Sequence, residues 1–77
     1  MMKDLLEYIA KNLVDKPDEV SIDEVERDGV VTLTLRVASE DMGKVIGRQG
    51  RIVREIRTIL KTVGQRYGKK VMVVIAE

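Results

Sequence analysis

The chain has 77 residues and a formal net charge of +1, so it has room for one small domain with one hydrophobic core. It contains neither Cys nor His, which excludes disulfides, thiolate metal sites and the commonest general base. We therefore expect that the protein is not an enzyme and that it has no small-molecule substrate, no cofactor and no metal site. The near absence of aromatic residues also argues against binding of nucleic-acid bases by stacking on aromatic side chains.

The charges are divided unevenly along the chain. Residues 1–42 hold five basic and eleven acidic residues, a balance of −6, whereas residues 43–77 hold nine basic and two acidic residues, a balance of +7. This division predicts one face that attracts a polyanion and another that repels it. The alternative, that the charges only solvate helix surfaces, stays open at this point.

No segment of the sequence has the pattern of a membrane span or a signal peptide. The longest apolar run, Val71 to Ala76, is too short to cross a bilayer, and acidic residues interrupt the apolar residues near the N-terminus. We therefore expect a cytoplasmic protein that has no membrane partner.

The first predicted element is an amphipathic helix. Apolar residues recur at helical spacing over residues 2–14, with Lys and Glu side chains on the other side. Pro17 ends this helix because it excludes Lys16 from the α-helical conformation.

Residues 18–26 predict a short, charged edge strand. Val25 falls out of the alternation that Ile22 begins, so we expect a β-bulge near Asp23 and Glu24. The acidic residues here do not have the spacing of a calcium loop, and a solvated edge that resists aggregation explains them better than a metal site.

A hairpin and the central strand follow. Asp28-Gly29 favours a tight turn, because both residues tolerate positive φ. From Val31 to Val37, apolar residues alternate with Thr and Arg, which predicts a strand with one face in the core.

The C-terminal half predicts two helices and a last strand. Ser39, followed by two acidic residues, is expected to cap a short second helix. A third helix is expected to begin near Arg51, with an apolar arc that includes Ile59, and to end at Gly64 or Gly68. Residues 71–76 then form the last strand.

The order helix–strand–strand–helix–helix–strand predicts an α+β domain that spans residues 1–77. A strand, two helices and another strand usually form a right-handed parallel crossover, and the hairpin adds an antiparallel edge. The result is a three-stranded mixed sheet with three helices packed on one face.

The most informative segment is a Gly-x-x-Gly loop between two apolar helical segments, with the sequence Val45-Ile46-Gly47-Arg48-Gln49-Gly50-Arg51-Ile52-Val53. The loop precedes the third helix, where backbone amides and the helix dipole favour a phosphate. Three further cations, Lys44, Arg51 and Arg54, lie close to the loop in sequence. The simpler interpretation is an ordinary helix–helix turn in which Gly47 is a C-cap.

The segment resembles the signature of the KH-domain family, in which an apolar pair precedes Gly-x-x-Gly and an apolar residue, here Val53, follows three positions later. The order of the elements is similar to that of the type II KH fold. The resemblance covers the whole chain, and it implies a single KH domain that binds short single-stranded RNA, as a post-transcriptional regulator or an RNA chaperone.

The resemblance also implies roles for individual residues. Gly47, Arg48, Gln49 and Gly50 would contact the phosphate backbone, assisted by Lys44, Arg51 and Arg54. An apolar floor under the bases would be formed by Val45, Ile46 and Val53. Small single-domain members of the family are expected to form homodimers and to pair with a larger KH-containing protein of the KhpB (Jag) type.

Two alternatives were weighed against RNA binding. A nucleotide-binding P-loop is rejected, because Ala38 stands where its first Gly is needed and Val45 follows Lys44 in place of Ser or Thr. A protein–protein adaptor that keeps only the KH shape stays open. The last strand favours it, because Met72 and Val74 make the strand apolar on both faces.

Overall fold

The computed structural model describes residues 2–76, which form three α-helices and three β-strands in the predicted order. Their bounds are Met2–Leu13 (α1), Ser21–Arg27 (β1), Val30–Arg36 (β2), Met42–Ile46 (α2), Arg51–Arg66 (α3) and Lys70–Ala76 (β3). Short 3₁₀ turns occupy Pro17–Glu19, Ser39–Asp41 and Arg48–Gly50. The predicted α+β class is confirmed.

The strands form one mixed sheet in the order β1-β2-β3. β1 and β2 are antiparallel, whereas β2 and β3 are parallel, with Leu33 opposite Val73 at the centre. The parallel pair is connected by α2 and α3, which is the crossover that the order of the elements predicts. Both parts of the predicted topology are therefore confirmed.

The hydrophobic core lies between the helices and one face of the sheet. Alternation along β2 points Val31, Leu33 and Leu35 to this face, and all three are fully buried. The helices cover them with the buried residues Met2, Leu6, Ala10, Val45, Ile56 and Leu60. The opposite face is not covered by helices. We call it the outer face, and its central residues are Val25, Thr32, Thr34, Met72 and Val74.

β1 is a regular strand, and the predicted bulge is wrong. Every residue from Ser21, opposite Arg36, to Arg27, opposite Val30, has one partner on β2. Val25 is out of phase with Ile22 because it lies on the outer face opposite Thr32, and not because an extra residue is inserted. Val25 is therefore a surface residue of a strand whose pairing with β2 is uninterrupted.

The hairpin between β1 and β2 is the two-residue turn that Asp28-Gly29 predicts. Arg27 pairs directly with Val30, and Asp28 and Gly29 have φ values of 53° and 79°. Positive φ at both central residues matches the right-handed twist of the flanking strands. This turn lies at the end of the sheet away from α2.

The predicted capping of the second helix by Ser39 is wrong. Ser39 Oγ donates to the Glu40 carboxylate, a 3₁₀ turn comes first, and α2 begins at Met42. Asp41 is 1% exposed, and its two carboxylate oxygens accept the backbone amides of Asp15 at 3.2 Å and Lys16 at 3.0 Å. An acidic residue expected in the first turn of a helix therefore joins the segment after α1 to the start of α2.

α3 begins at the predicted Arg51 but continues through Gly64 to Arg66. Gly68 follows at positive φ, and the amides of Gly68 and Lys69 close the helix end on the carbonyls of Gln65 and Gly64. Ile59 is 45% exposed, because it lies at the edge of the apolar arc. Among residues 2–76, no helix has the length and apolar character needed to span a membrane.

Candidate nucleic-acid interface

The Gly-x-x-Gly loop connects α2 to α3 with a backbone that glycine makes possible. Gly47 has φ 78° and ψ 172°, and a Cβ atom there would lie 2.6 Å from Ile52 Cγ1 and 2.9 Å from the Ile52 backbone nitrogen. Gly50 has φ 73°, but the space around its missing Cβ is open. Gly47 is therefore required by both conformation and contact, and Gly50 by conformation alone.

The backbone amides of the loop differ in their hydrogen bonding. The Gly47 amide donates to the Gly43 carbonyl at 2.9 Å, and the Gly50 amide donates to the Gly47 carbonyl at 3.1 Å. The amides of Arg48 and Gln49 find no acceptor within the described part of the chain. These two donors lie between the glycines, where a phosphate oxygen can accept from both.

Most cations of the molecule fall into two groups, and Lys3, Arg27 and Lys70 lie outside both. Within residues 2–76, five of them lie within ion-pair distance of a carboxylate, namely Lys11, Lys16, Arg36, Lys44 and Lys69. The cations of the loop and of α3 have no such partner in this range, and they are Arg48, Arg51, Arg54, Arg57, Lys61 and Arg66. Positive charge that is not neutralised inside the protein is therefore concentrated around the loop and along α3.

Lys44 differs from the other cations that the sequence assigns to the site. Its ammonium lies 3.2 Å from the Asp15 carboxylate and 3.6 Å from Asp41, and the hydrogen bond with Asp15 raises the pKa of Lys44. Lys44 thus links α2 to the end of α1. The structure brings Arg48, Gln49 and Arg51 together at the loop, while Lys44 is held on the side of α2 that faces Asp15.

Arg54 is in contact with the loop itself. Its Nη2 donates to the main-chain carbonyl of Gln49 at 3.2 Å, so its guanidinium lies against the loop backbone. Gln49 has φ 58° and ψ 26°, a conformation that non-glycine residues rarely adopt. The sequence placed Arg54 near the loop, but it did not indicate this contact.

The apolar residues beside the loop differ in their exposure. Val45 is fully buried in the hydrophobic core, and Val53 is only 8% exposed. Ile46 is half-buried and lines a groove of about 530 Å³ beside α2, together with Glu19, Val37, Ala38, Ser39 and Met42. Of the three residues expected to form an apolar floor, Ile46 is the one that presents a surface.

A second groove, which the sequence analysis missed, lies between α3 and β3. It has a volume of about 390 Å³ and is lined by Arg57, Lys61 and residues 71–74. Arg57 Nε donates to the main-chain carbonyl of Val73 at 3.2 Å, in the middle of the edge strand. The spacing of Arg54, Arg57 and Lys61 along α3 was the available signal, because residues three and four apart share one side of a helix.

The outer face of the sheet exposes a group of apolar side chains. Val25, Met72 and Val74 are 58%, 49% and 41% exposed, and they lie next to Thr32 and Thr34 in the paired strands. Salt-bridged Asp23 and Arg36 border this area at one end. The sequence-based expectation that Met72 and Val74 point away from the helices is confirmed.

Comparison with known proteins shows close relatives over the whole chain. Residues 3–75 match the family described as KhpA/KhpB, KH domain. The chain is 55% identical over 74 residues to the RNA-binding protein KhpA of Clostridium acetobutylicum, covering 96% of this chain and 99% of the relative. It is 47% identical over 76 residues to the RNA-binding protein KhpA of Aquifex aeolicus, covering 99% of this chain and 96% of the relative. No solved structure gives a significant match.

Proposed function

Since this chain belongs to the KhpA/KhpB family of KH domains, we propose that it is a cytoplasmic protein that binds short single-stranded RNA and acts as a post-transcriptional regulator or an RNA chaperone. The family is non-enzymatic, and the matching relatives are named for RNA binding. The observation that carries the proposal is the pair of free amides of Arg48 and Gln49, held between two glycines and surrounded by cations without carboxylate partners.

The RNA backbone would lie on the loop. One phosphate would accept from the amides of Arg48 and Gln49, and the Arg48 and Arg51 side chains would neutralise its charge and that of its neighbours. The bases would extend over the exposed apolar surface that Ile46 offers, above Val45 and Val53. With two tyrosines in the chain and both remote in sequence from the loop, aliphatic contact and base-edge hydrogen bonds would hold the bases.

Electrostatics favours the groove beside α3 over the groove beside α2 for the rest of the RNA. The groove beside α3 carries Arg57 and Lys61, whereas the groove beside α2 has Glu19 on its rim and Glu40 next to Ser39. A polyanion that leaves the loop would therefore continue along α3.

A protein partner is the second part of the proposal. The outer face exposes Val25, Met72 and Val74, and a second copy of the chain, or a larger KH protein of the KhpB type, would cover them. One KH domain contacts about four nucleotides, so a second domain would raise the affinity for RNA. In the alternative function, a protein–protein adaptor, the outer face would bind the partner in the same way, but the protein would not bind RNA.

Replacement of Arg48 and Gln49 by Asp tests RNA binding at the loop. Both side chains are exposed and Asp accepts positive φ more readily than Gln, so stability should change by no more than about 0.5 kcal/mol per site. RNA affinity should fall at least about tenfold, because a cation is lost and two carboxylates face the phosphate. Binding of a short single-stranded RNA by fluorescence anisotropy, with thermal melting in parallel, measures both effects.

The control is Arg27→Asp, since Arg27 lies at the hairpin end of the sheet, away from α2. It should leave RNA affinity unchanged. For the parent protein, the logarithm of the affinity should fall with the logarithm of the salt concentration with a slope of about −2 to −3, or roughly −0.7 per phosphate contact. A folded double variant that binds RNA as well as the parent would remove the loop from the binding site and favour the adaptor function.

A further inference from the structure

The loop contains one residue whose backbone is unfavourable for its type. Gln49 has φ 58°, and within residues 2–76 the other non-glycine residue with positive φ is Asp28 in the hairpin. Asp adopts this conformation readily because its short side chain bonds locally, whereas Gln does not share this preference. Since Gln49 is exposed, core packing does not hold it in place. Another interaction must stabilise its backbone.

The peptide group between Gln49 and Gly50 is fixed at both of its polar atoms. Its carbonyl oxygen, on Gln49, accepts from Arg54 Nη2 at 3.2 Å, and its amide, on Gly50, donates to the Gly47 carbonyl at 3.1 Å. A peptide group is planar, so two bonds on opposite sides determine its orientation. Within the described residues, the bond from Arg54 is the side-chain hydrogen bond that the loop backbone receives.

We propose that Arg54 is a positioning residue: it holds the Gly-x-x-Gly loop in its binding conformation through the Gln49 carbonyl, and it is not itself a phosphate contact. The proposal rests on RNA binding at the loop and changes the role that the sequence gives to Arg54. With the Gln49–Gly50 peptide fixed, the amides of Arg48 and Gln49, which have no acceptor among residues 2–76, keep a fixed arrangement. Loss of Arg54 would release a strained residue and disperse the two donors.

Two variants of Arg54 distinguish a positioning role from a phosphate contact. Arg54→Lys keeps the positive charge, but its side chain ends one bond sooner and cannot reach the Gln49 carbonyl in the same pose. Arg54→Gln removes the charge as well. If Arg54 positions the loop, both variants should lose about fivefold in RNA affinity, the equivalent of one hydrogen bond of about 1 kcal/mol, and the salt slope should stay that of the parent. If Arg54 instead contacts a phosphate, Arg54→Lys should retain the RNA affinity. Arg54→Gln should then reduce the magnitude of the salt slope by roughly 0.7.

A second substitution in the loop provides a rescue test. Asn adopts positive φ more readily than Gln, so Gln49→Asn should reduce the need for Arg54. In the Gln49→Asn background, Arg54→Gln should lower RNA affinity by less than about twofold, a departure from additivity that requires the two residues to be coupled. Independent losses in the double variant would contradict the proposal.

The free protein supplies a measurement that does not depend on RNA. The Gly50 amide is hydrogen-bonded only while the loop keeps its conformation, so its hydrogen exchange should accelerate at least about fivefold in Arg54→Gln, with core amides unchanged. Unchanged exchange at Gly50 would overturn the positioning role even if RNA binding is real. Faster exchange in a protein that binds no RNA would reject the proposed function and leave the role of Arg54 in the loop intact.

Discussion

Gly47 shows how one residue position can have two independent requirements. Its φ of 78° and ψ of 172° fall in a region that is essentially restricted to glycine. Its missing Cβ also makes room for Ile52, the residue that begins the inner side of α3. Gly50, with φ 73° and ψ 17°, lies in the left-handed helical region, which other residues enter at a smaller cost, and the space around its missing Cβ is open.

Alanine substitutions separate these two requirements. Gly47→Ala should lower the free energy of unfolding by about 3 kcal/mol, because backbone strain adds to a collision with Ile52. Gly50→Ala should lower it by about 1 kcal/mol, the cost of a left-handed residue alone. Urea denaturation of both variants measures the difference, and equal losses would show that the contact with Ile52 relaxes freely.

The ion pair between Lys16 and Glu40 makes part of the stability dependent on acid pH. The Lys16 ammonium, hydrogen-bonded to the carboxylate, lowers the pKa of Glu40 from 4.5 to about 2. A carboxyl whose pKa is lower in the folded state contributes stability that is present above its unfolded pKa and is lost as the pH falls through the folded pKa.

Glu40→Gln isolates this contribution. The parent should be more stable than the variant at neutral pH, and the difference should shrink between about pH 4.5 and about pH 2 and then vanish. Both partners are exposed, so the difference will be small. Melting temperatures of the two proteins across this range test the prediction, and a difference that is constant with pH would contradict it.

Asp41 is the residue that sequence reasoning placed least well. Acidic residues after Ser39 are typical of a helix start, and they indicated only a favourable interaction with the helix dipole. The buried role of Asp41 depends on the amides of Asp15 and Lys16, which are 26 and 25 residues away in sequence. A periodicity argument cannot detect such a partner, because it compares only residues that are neighbours in the chain.

At the scale of the elements, α3 packs closely against the beginning of β3. A Cβ atom on Gly64 would lie 2.4 Å from Val71 Cγ2 and 3.0 Å from the Lys69 carbonyl. The glycine that looked like a helix end is therefore an internal residue of α3, and its lack of a side chain lets the helix lie against the sheet.

Gly64→Ala sets helix propensity against packing. Ala favours a helix over Gly by about 1 kcal/mol. We nevertheless expect a net loss of about 1 to 2 kcal/mol in the free energy of unfolding, because the contacts with Val71 and a backbone carbonyl cannot both relax. In the Gly64→Ala background, Val71→Ala should restore part of the loss, whereas alone it should destabilise the protein. Chemical denaturation of the parent, the two single variants and the double variant measures these differences. A Gly64→Ala variant that is more stable than the parent would contradict the close contact between α3 and Val71.

The helices and strands were predictable wherever the hydrophobic periodicity and the residues that mark turns and helix ends agreed. The alternation in β2, the Asp28-Gly29 turn and the start of α3 each rested on local sequence, and each is confirmed. The bulge in β1 was predicted because Val25 was assumed to face the core. Whether an apolar residue on an edge strand lies inside or outside depends on what covers the sheet, which the strand sequence does not encode.

At the scale of the whole molecule, cations with a carboxylate partner and cations without one occupy different regions. Cations in the N-terminal half and at the turns are mostly neutralised by nearby carboxylates, while those of the loop and α3 lack such partners among residues 2–76. The basic C-terminal half was visible from composition. The distinction between paired and unpaired cations was not, because pairs such as Lys69 with Glu26 join residues far apart in sequence.

A single substitution on the outer face tests assembly. If this face docks a second copy or a larger KH protein, Met72→Lys should reduce self-association or partner binding at least about tenfold, since a charge would be buried in an apolar contact. Asn12→Lys on exposed α1 adds the same charge elsewhere and should change neither. Sedimentation velocity over a range of concentrations gives the result. A parent that stays monomeric, with partner binding and solubility unaffected by Met72→Lys, would reject this surface.

The hydrogen bond from Arg57 to the Val73 carbonyl has a consequence for aggregation. Residues 71–76 are six consecutive residues without charge or proline, rich in β-branched side chains, and they lie at an open edge of the sheet. Such a segment is a template for the stacking of strands in amyloid. The edge of β1 is protected by the charged side chains of β1 itself. The edge of β3 is protected by α3, because Arg57 donates a hydrogen bond to the Val73 carbonyl, which an incoming strand would need as an acceptor. A fluctuation that separates α3 from the sheet therefore has two effects at once: it exposes the amyloid-prone strand, and it breaks the hydrogen bond that blocks the edge of that strand.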